Sequence, residues 1–156
     1  MGIPKRKLML AAAACAASIA LASCASLQHS SDQGAVKQVA DLLNAGQAKK
    51  LAAMSATPFL VDGEIVLLKN DVASFWEGVT RAGFRVEGAA LEQGVPVGAD
   101  SYKQFASTME VKSFFSRYVR KGARLLTMTS STGRRILLLV KSDWFSRQII
   151  GFKGPV

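Results

Sequence analysis

Apolar and polar positions divide the chain into an uncharged opening and a body whose periodicity changes several times. Residues 8–31 carry no charge, and their apolar character fades after Leu27. Beyond them Val36, Val39, Ala40 and Leu43 recur at three-four spacing, which predicts a helix over 31–44. Ser31 or Asp32 can open it by accepting from the free amides of the first turn. Asn44-Ala45-Gly46 tolerates a left-handed end and stops it. A second short helix, 47–54, closes before Thr57-Pro58, because a residue preceding proline is pushed out of helical geometry.

Strand patterns then take over. Residues 58–61 and 64–68 are apolar runs flanking Asp62-Gly63, a two-residue hairpin turn that needs positive φ. Asn70 can cap the next helix, with Asp71 in its first turn and Val72, Phe75, Trp76 and Val79 on one face. Gly83 ends it, and 84–89 reads as a strand before a Gly- and Pro-rich loop over 93–100. Ser107 with Glu110 makes a capping-box pattern for a helix whose Val111, Phe114, Phe115 and Tyr118 share a face. Three strands close the chain, over 123–129, 134–141 and 145–153. Leu137-Leu138-Leu139-Val140 is continuously apolar, as expected of a central strand covered on both faces.

This order predicts an α+β domain: a strongly bent antiparallel sheet with helices packed on one face. The two helices within 38–54, then Pro58-Phe59-Leu60-Val61-Asp62-Gly63-Glu64, then Asp71-Val72-Ala73-Ser74-Phe75-Trp76, resemble the cone-shaped nuclear transport factor two-like fold. That family also holds ketosteroid isomerase-like enzymes. The resemblance implies a cone-shaped domain with a concave sheet face, and the Ile149-Ile150-Gly151-Phe152 strand is compatible with it. The helix near 107–119 departs from the pattern, since it stands before the final three strands where the family joins its strands directly.

The uncharged opening changes the picture of where the protein works. Lys5-Arg6-Lys7, the apolar run from Leu8 to Ala20 and a small-residue ending have the layout of a secretory signal peptide. Leu21-Ala22-Ser23-Cys24 resembles the lipobox of bacterial lipoproteins. That resemblance implies cleavage after Ser23, diacylglycerol on the Cys24 sulfur and a further acyl chain, such as palmitate, on the new amino terminus. An ordinary cleaved signal and an uncleaved anchor are the rival readings, the latter needing about twenty strongly apolar residues. The expected organisation is a signal over 1–23, Cys24 and a polar tether over 24–33, and one domain over 34–156. Ala25, rather than aspartate, after the acceptor implies by the same resemblance the periplasmic side of the outer membrane rather than the inner membrane.

Charge and cysteine content narrow the partners. Twenty basic residues oppose eleven acidic ones, and loss of Lys5, Arg6 and Lys7 leaves a net +6. Such an excess favours anionic surfaces: a phospholipid layer, or another envelope protein. Nucleic acid is not expected for a tethered envelope protein. Arg124, Arg134 and Arg135 form the candidate basic patch, with Arg117, Arg120 and Lys121 nearby in sequence but not evidently on one face. Both cysteines, Cys15 and Cys24, lie in the leader or at its end, so the body carries no thiol.

Catalytic signatures are sparse. The one histidine, His29, stands in the expected tether with no metal-ligand spacing around it, and neither metal nor cofactor is expected. Asp62, Glu64 and Asp143 read as turn residues. Phe75, Trp76, Phe115, Tyr118 and Met128 are the candidates for an apolar pocket, although the same spacing serves equally for a filled core. The expectation is a non-enzymatic binding or accessory module. The alternatives are a cone-fold isomerase or hydrolase with an inward carboxylate or tyrosine, and a carrier of a small apolar ligand.

Overall fold

The computed structural model describes residues 26–142 and 147–155; Ser23 and Cys24, with the rest of the leader, lie outside them, as does Asp143. Helix α1 runs through residues 26–44 and is followed by α2 (Ala48–Met54). The hairpin β1 (Ser55–Val61) and β2 (Glu64–Val66) turns on Asp62 at φ 54° and Gly63. Helix α3 (Lys69–Arg81) leads to β3 (Ala90–Pro96), a 3₁₀ turn (Ser101–Gln104) and α4 (Met109–Tyr118). Strands β4 (Ala123–Thr129), β5 (Arg135–Ser142) and β6 (Arg147–Lys153) complete a six-stranded sheet ordered β2-β1-β6-β5-β4-β3.

The class is α+β, as expected, but the sheet is mixed rather than antiparallel. Strand β6 pairs parallel with β1, and every other pairing is antiparallel. Between β1 and β6 the register jumps from Ser55↔Ile149 to Leu60↔Gly151, so β1 bulges around the cis Thr57-Pro58 bond. A proline, having no N–H to give a ladder, belongs at such a bulge. Gly151 permits the tight approach that follows: a Cβ there would sit 3.1 Å from both Cβ and the carbonyl oxygen of Leu60.

Helices cover both faces, not one. On β5 the side chains of Ile136, Leu138 and Val140 join α1, α2 and α3, while Leu137 and Leu139 join α4 on the other side. Alternation along a strand sends neighbours to opposite faces, so the apolar run reads as a strand buried twice. The first layer is a filled core: Leu43, Leu51, Phe59, Trp76, Met128 and Leu138 are all fully buried. Trp76 lies edge-on to Phe75 and Phe152 with centroids 4.9 and 5.3 Å away. Its Nε1 donates to Ser55 Oγ (2.8 Å), which in turn donates to the Leu51 carbonyl at the end of α2 (2.8 Å).

Several local expectations are corrected. Residues 26–33 are not a polar tether but the first turns of α1, and Asp32 caps nothing. Its carboxylate is buried and accepts from Arg124 Nε (2.8 Å) and Gln28 Nε2 (3.1 Å). Residues 84–89 are not a strand, because their backbone is satisfied by side chains and turns instead. Val86 N–H donates to Asn44 Oδ1 (2.7 Å), Asn44 Nδ2 returns to the Val86 carbonyl (3.2 Å), and Ser131 N–H takes the Glu87 carbonyl. The strand begins only at Ala90 and runs through the expected loop to Pro96, an edge position where proline is tolerated. Caps also shift: Leu68, not Asn70, precedes α3, and Thr108, not Ser107, caps α4 by accepting from Val111 N–H.

Candidate functional site

The sequence candidates do not form one pocket. Phe75, Trp76 and Met128 belong to the core under α1–α3, whereas Phe115 is packed on the opposite face of the sheet. Tyr118 stands at the rim, 46 % exposed. The basic patch is likewise dispersed. Arg124 is spent on the buried Asp32 and on the Gly94 carbonyl, which accepts from its Nη2 at 2.8 Å. Arg135 grips Glu92 from the far end of the β4–β5 hairpin, where Arg134 is exposed. Asp62 holds the chain end by accepting from Gly154 N–H (2.9 Å), and Glu64 is exposed on the hairpin. Among the described residues no three His, Cys, Asp or Glu side chains come together as metal ligands would.

Glu92 shows what an engaged surface carboxylate does here. Hydrogen bonds from Arg135, then from Thr129, with the Arg135 charge, lower its pKa from 4.5 to about 2. Its folded value lies below its unfolded one, so this stabilisation is complete above about pH 4.5 and is lost as pH falls through about 2. In thermal melts the deficit of Glu92→Gln relative to wild type is expected to be full at neutral pH and to shrink on acidification below pH 4.5. A deficit that stays constant down that range contradicts the assignment.

A different cluster does converge. Helix α4 stops at Tyr118 because Val119 leaves helical geometry, and Gly122 at φ 92° turns the chain into β4. This exit carries Arg120 back over the end of the sheet. There Arg117, Tyr118 and Arg120 meet Thr57 in the β1 bulge, Lys141 at the end of β5 and Gln148 at the start of β6, around an open cavity of about 300 Å³. Ile150 and Pro58 give it an apolar wall, and among the described residues no lining side chain is acidic. Arg117 sits in the last turn of α4, where a cation offsets the partial negative charge of the helix end. Arg120 stands beyond that end. Two guanidinium groups, an ammonium, a phenol and a carboxamide are a donor-rich set suited to a phosphate or carboxylate oxygen.

Two grooves border this cavity. One, about 390 Å³, shares Arg117 and Tyr118 with it and is lined by Leu67 and Met109, which are 65 % and 71 % exposed. The other, about 470 Å³, shares Arg120 and joins Gln28 of α1 to Val119, Lys121 and Arg124. Neither Arg117 nor Arg120 was separable in the sequence from its solvated neighbours. What unites them is the exit of α4 over a sheet end to which β1, β5 and β6 contribute.

No protein-family model and no curated relative matches the chain. Among solved structures, it is similar to a domain of unknown function with a cystatin-like fold from Nostoc punctiforme, at 18 % identity and a TM-score of 0.41, covering 81 % of this chain and 75 % of that one.

Proposed function

We propose that the protein is a bacterial envelope lipoprotein, a non-enzymatic binding or accessory module held by acyl chains on Cys24 after cleavage behind Ser23. The observation that carries this is the basic-apolar opening that ends in Leu21-Ala22-Ser23-Cys24. Its station is the periplasmic side of the outer membrane, following Ala25 after the acceptor. The element order supports reading the body as a nuclear transport factor two-like cone with α4 as an added helix. Ligand binding falls to the cavity at Arg117, Tyr118 and Arg120, whose donors favour an anionic group. A filled core under α1–α3 supports recognition at the surface over turnover in a buried chamber. One acyl chain anchors only marginally, and two or more anchor stably.

Intact-mass measurement of the membrane-extracted protein is expected to show a chain starting at Cys24 with acyl additions. Cys24→Ala is expected to move the protein out of the salt-washed membrane fraction and to abolish metabolic palmitate labelling. An unmodified thiol at the mature amino terminus overturns the proposal.

A further inference from the structure

We infer that the end of the domain formed by Leu27, Gln28, Arg117, Arg120 and Lys121 lies against an anionic phospholipid surface, with a lipid phosphate in the Arg117–Arg120 cavity. This rests on the lipoprotein reading above and adds an orientation to it.

Chain length fixes the first part of the argument. Gln28 lines the same groove as Val119, Arg120 and Lys121. Cys24 stands four residues earlier in the sequence, and four residues span at most about 14 Å. Acyl chains on Cys24 therefore enter a bilayer close beside the α4–β4 connection, whatever path the intervening residues take. The domain has little freedom to present any other end.

Charge and polarity decide the rest. Arg117, Arg120 and Lys121 are exposed at that end, and the nearby carboxylate of Asp32 is buried against Arg124. Cations held at the edge of an anionic leaflet are attracted within about one Debye length, roughly 8–10 Å at ordinary ionic strength. Leu27, 70 % exposed on α1, projects an apolar side chain from the turn nearest the anchor. At the opposite end Arg135 is neutralised by Glu92. The seven residues of β4 separate the two ends by roughly 23 Å. The acidic Glu110, at the start of α4, lines the apolar groove that Arg117 and Tyr118 share with the cavity, on the side away from Arg120 and Lys121 in sequence.

The mature chain carries no thiol besides Cys24, which the lipid occupies, so a single introduced cysteine takes a fluorophore uniquely. Acylated protein bearing the label at Lys121→Cys or at Arg134→Cys would be reconstituted into vesicles containing headgroup-nitroxide lipid. With about 30 % phosphatidylglycerol, quenching at position 121 is expected to exceed that at 134 by about threefold or more. It should fall toward the 134 level in pure phosphatidylcholine, in about 0.5 M salt, and in the Arg117→Ala/Arg120→Ala background. Equal quenching at both positions overturns the inference, as does quenching at 121 indifferent to lipid charge and to the double substitution. So does a label at 121 that is shielded in native envelopes but bare on vesicles, which would assign the face to a protein partner. A protein that leaves the vesicles with a free Cys24 thiol defeats the lipoprotein reading itself. An anchored protein with an unquenched label defeats only the docking.

Discussion

Trp76→Ala is expected to lower the unfolding free energy by about 3–5 kcal/mol, the range for deleting a large aromatic side chain from a packed core. Trp76 is fully buried and ties α3 to two strands: its ring meets Phe59 of β1 and Phe152 of β6, and its Nε1 reaches Ser55 where α2 gives way to β1. Domains of this size have only about 5–15 kcal/mol to lose. Trp76→Phe separates the two contributions, keeping most of the packing while removing the indole donor, and should cost about 1–3 kcal/mol. Urea unfolding followed by far-ultraviolet circular dichroism measures both. An alanine variant within about 1 kcal/mol of wild type would mean that the site collapses without loss, contrary to the packing described.

Asp32→Ala is expected to cost roughly 3–5 kcal/mol, toward the lower figure because the Arg124 side chain keeps 18 % of its exposure. The Asp32 carboxylate, 5 % exposed, is the anion that justifies bringing a guanidinium between α1 and the β3–β4 edge. Arg124→Ala strands the more deeply buried partner and should cost at least as much. Replacing both by apolar residues, as in Asp32→Leu/Arg124→Met, should recover much of the loss, since stranding one charge costs more than removing the pair. Hydrogen exchange adds a local readout: Asp32→Ala should loosen the amides of residues 28–33 before the sheet. Single variants as stable as wild type would show that the pair contributes nothing.

This ion pair is invisible in the local sequence. Residues 26–33 look like a polar linker because their one buried anchor, Asp32, finds its partner on β4, far along the chain. Local chemistry was legible where it was sufficient. Asp62-Gly63 announced its hairpin, Gly46 and Gly83 their helix ends, and the Leu137–Val140 run its burial on two faces. Strand β3 was misplaced because Gly94 and Pro96 look like loop residues. In the fold Pro96 sits on an edge strand, and Gly94 is small because a Cβ there would lie 2.4 Å from Asp32 Oδ2. The cation cavity was hidden for the same reason. Arginines 117, 120, 124, 134 and 135 look alike on paper, yet the fold pairs Arg124 and Arg135 with carboxylates and gathers Arg117 and Arg120 around a hollow.

The position of β6 carries a consequence for how the molecule comes into being. The early hairpin joins the remaining strands only through the last one, Ser55 meeting Ile149 and Val61 meeting Phe152. Such a seam joins residues about ninety positions apart in the sequence, and linkages of that span slow folding. Until β6 arrives, β1 has β2 but no second neighbour, and β3, β4 and β5 form a separate piece of sheet. An amino-terminal piece that stops short of β6 therefore leaves the two parts of the sheet without the strand that bridges them.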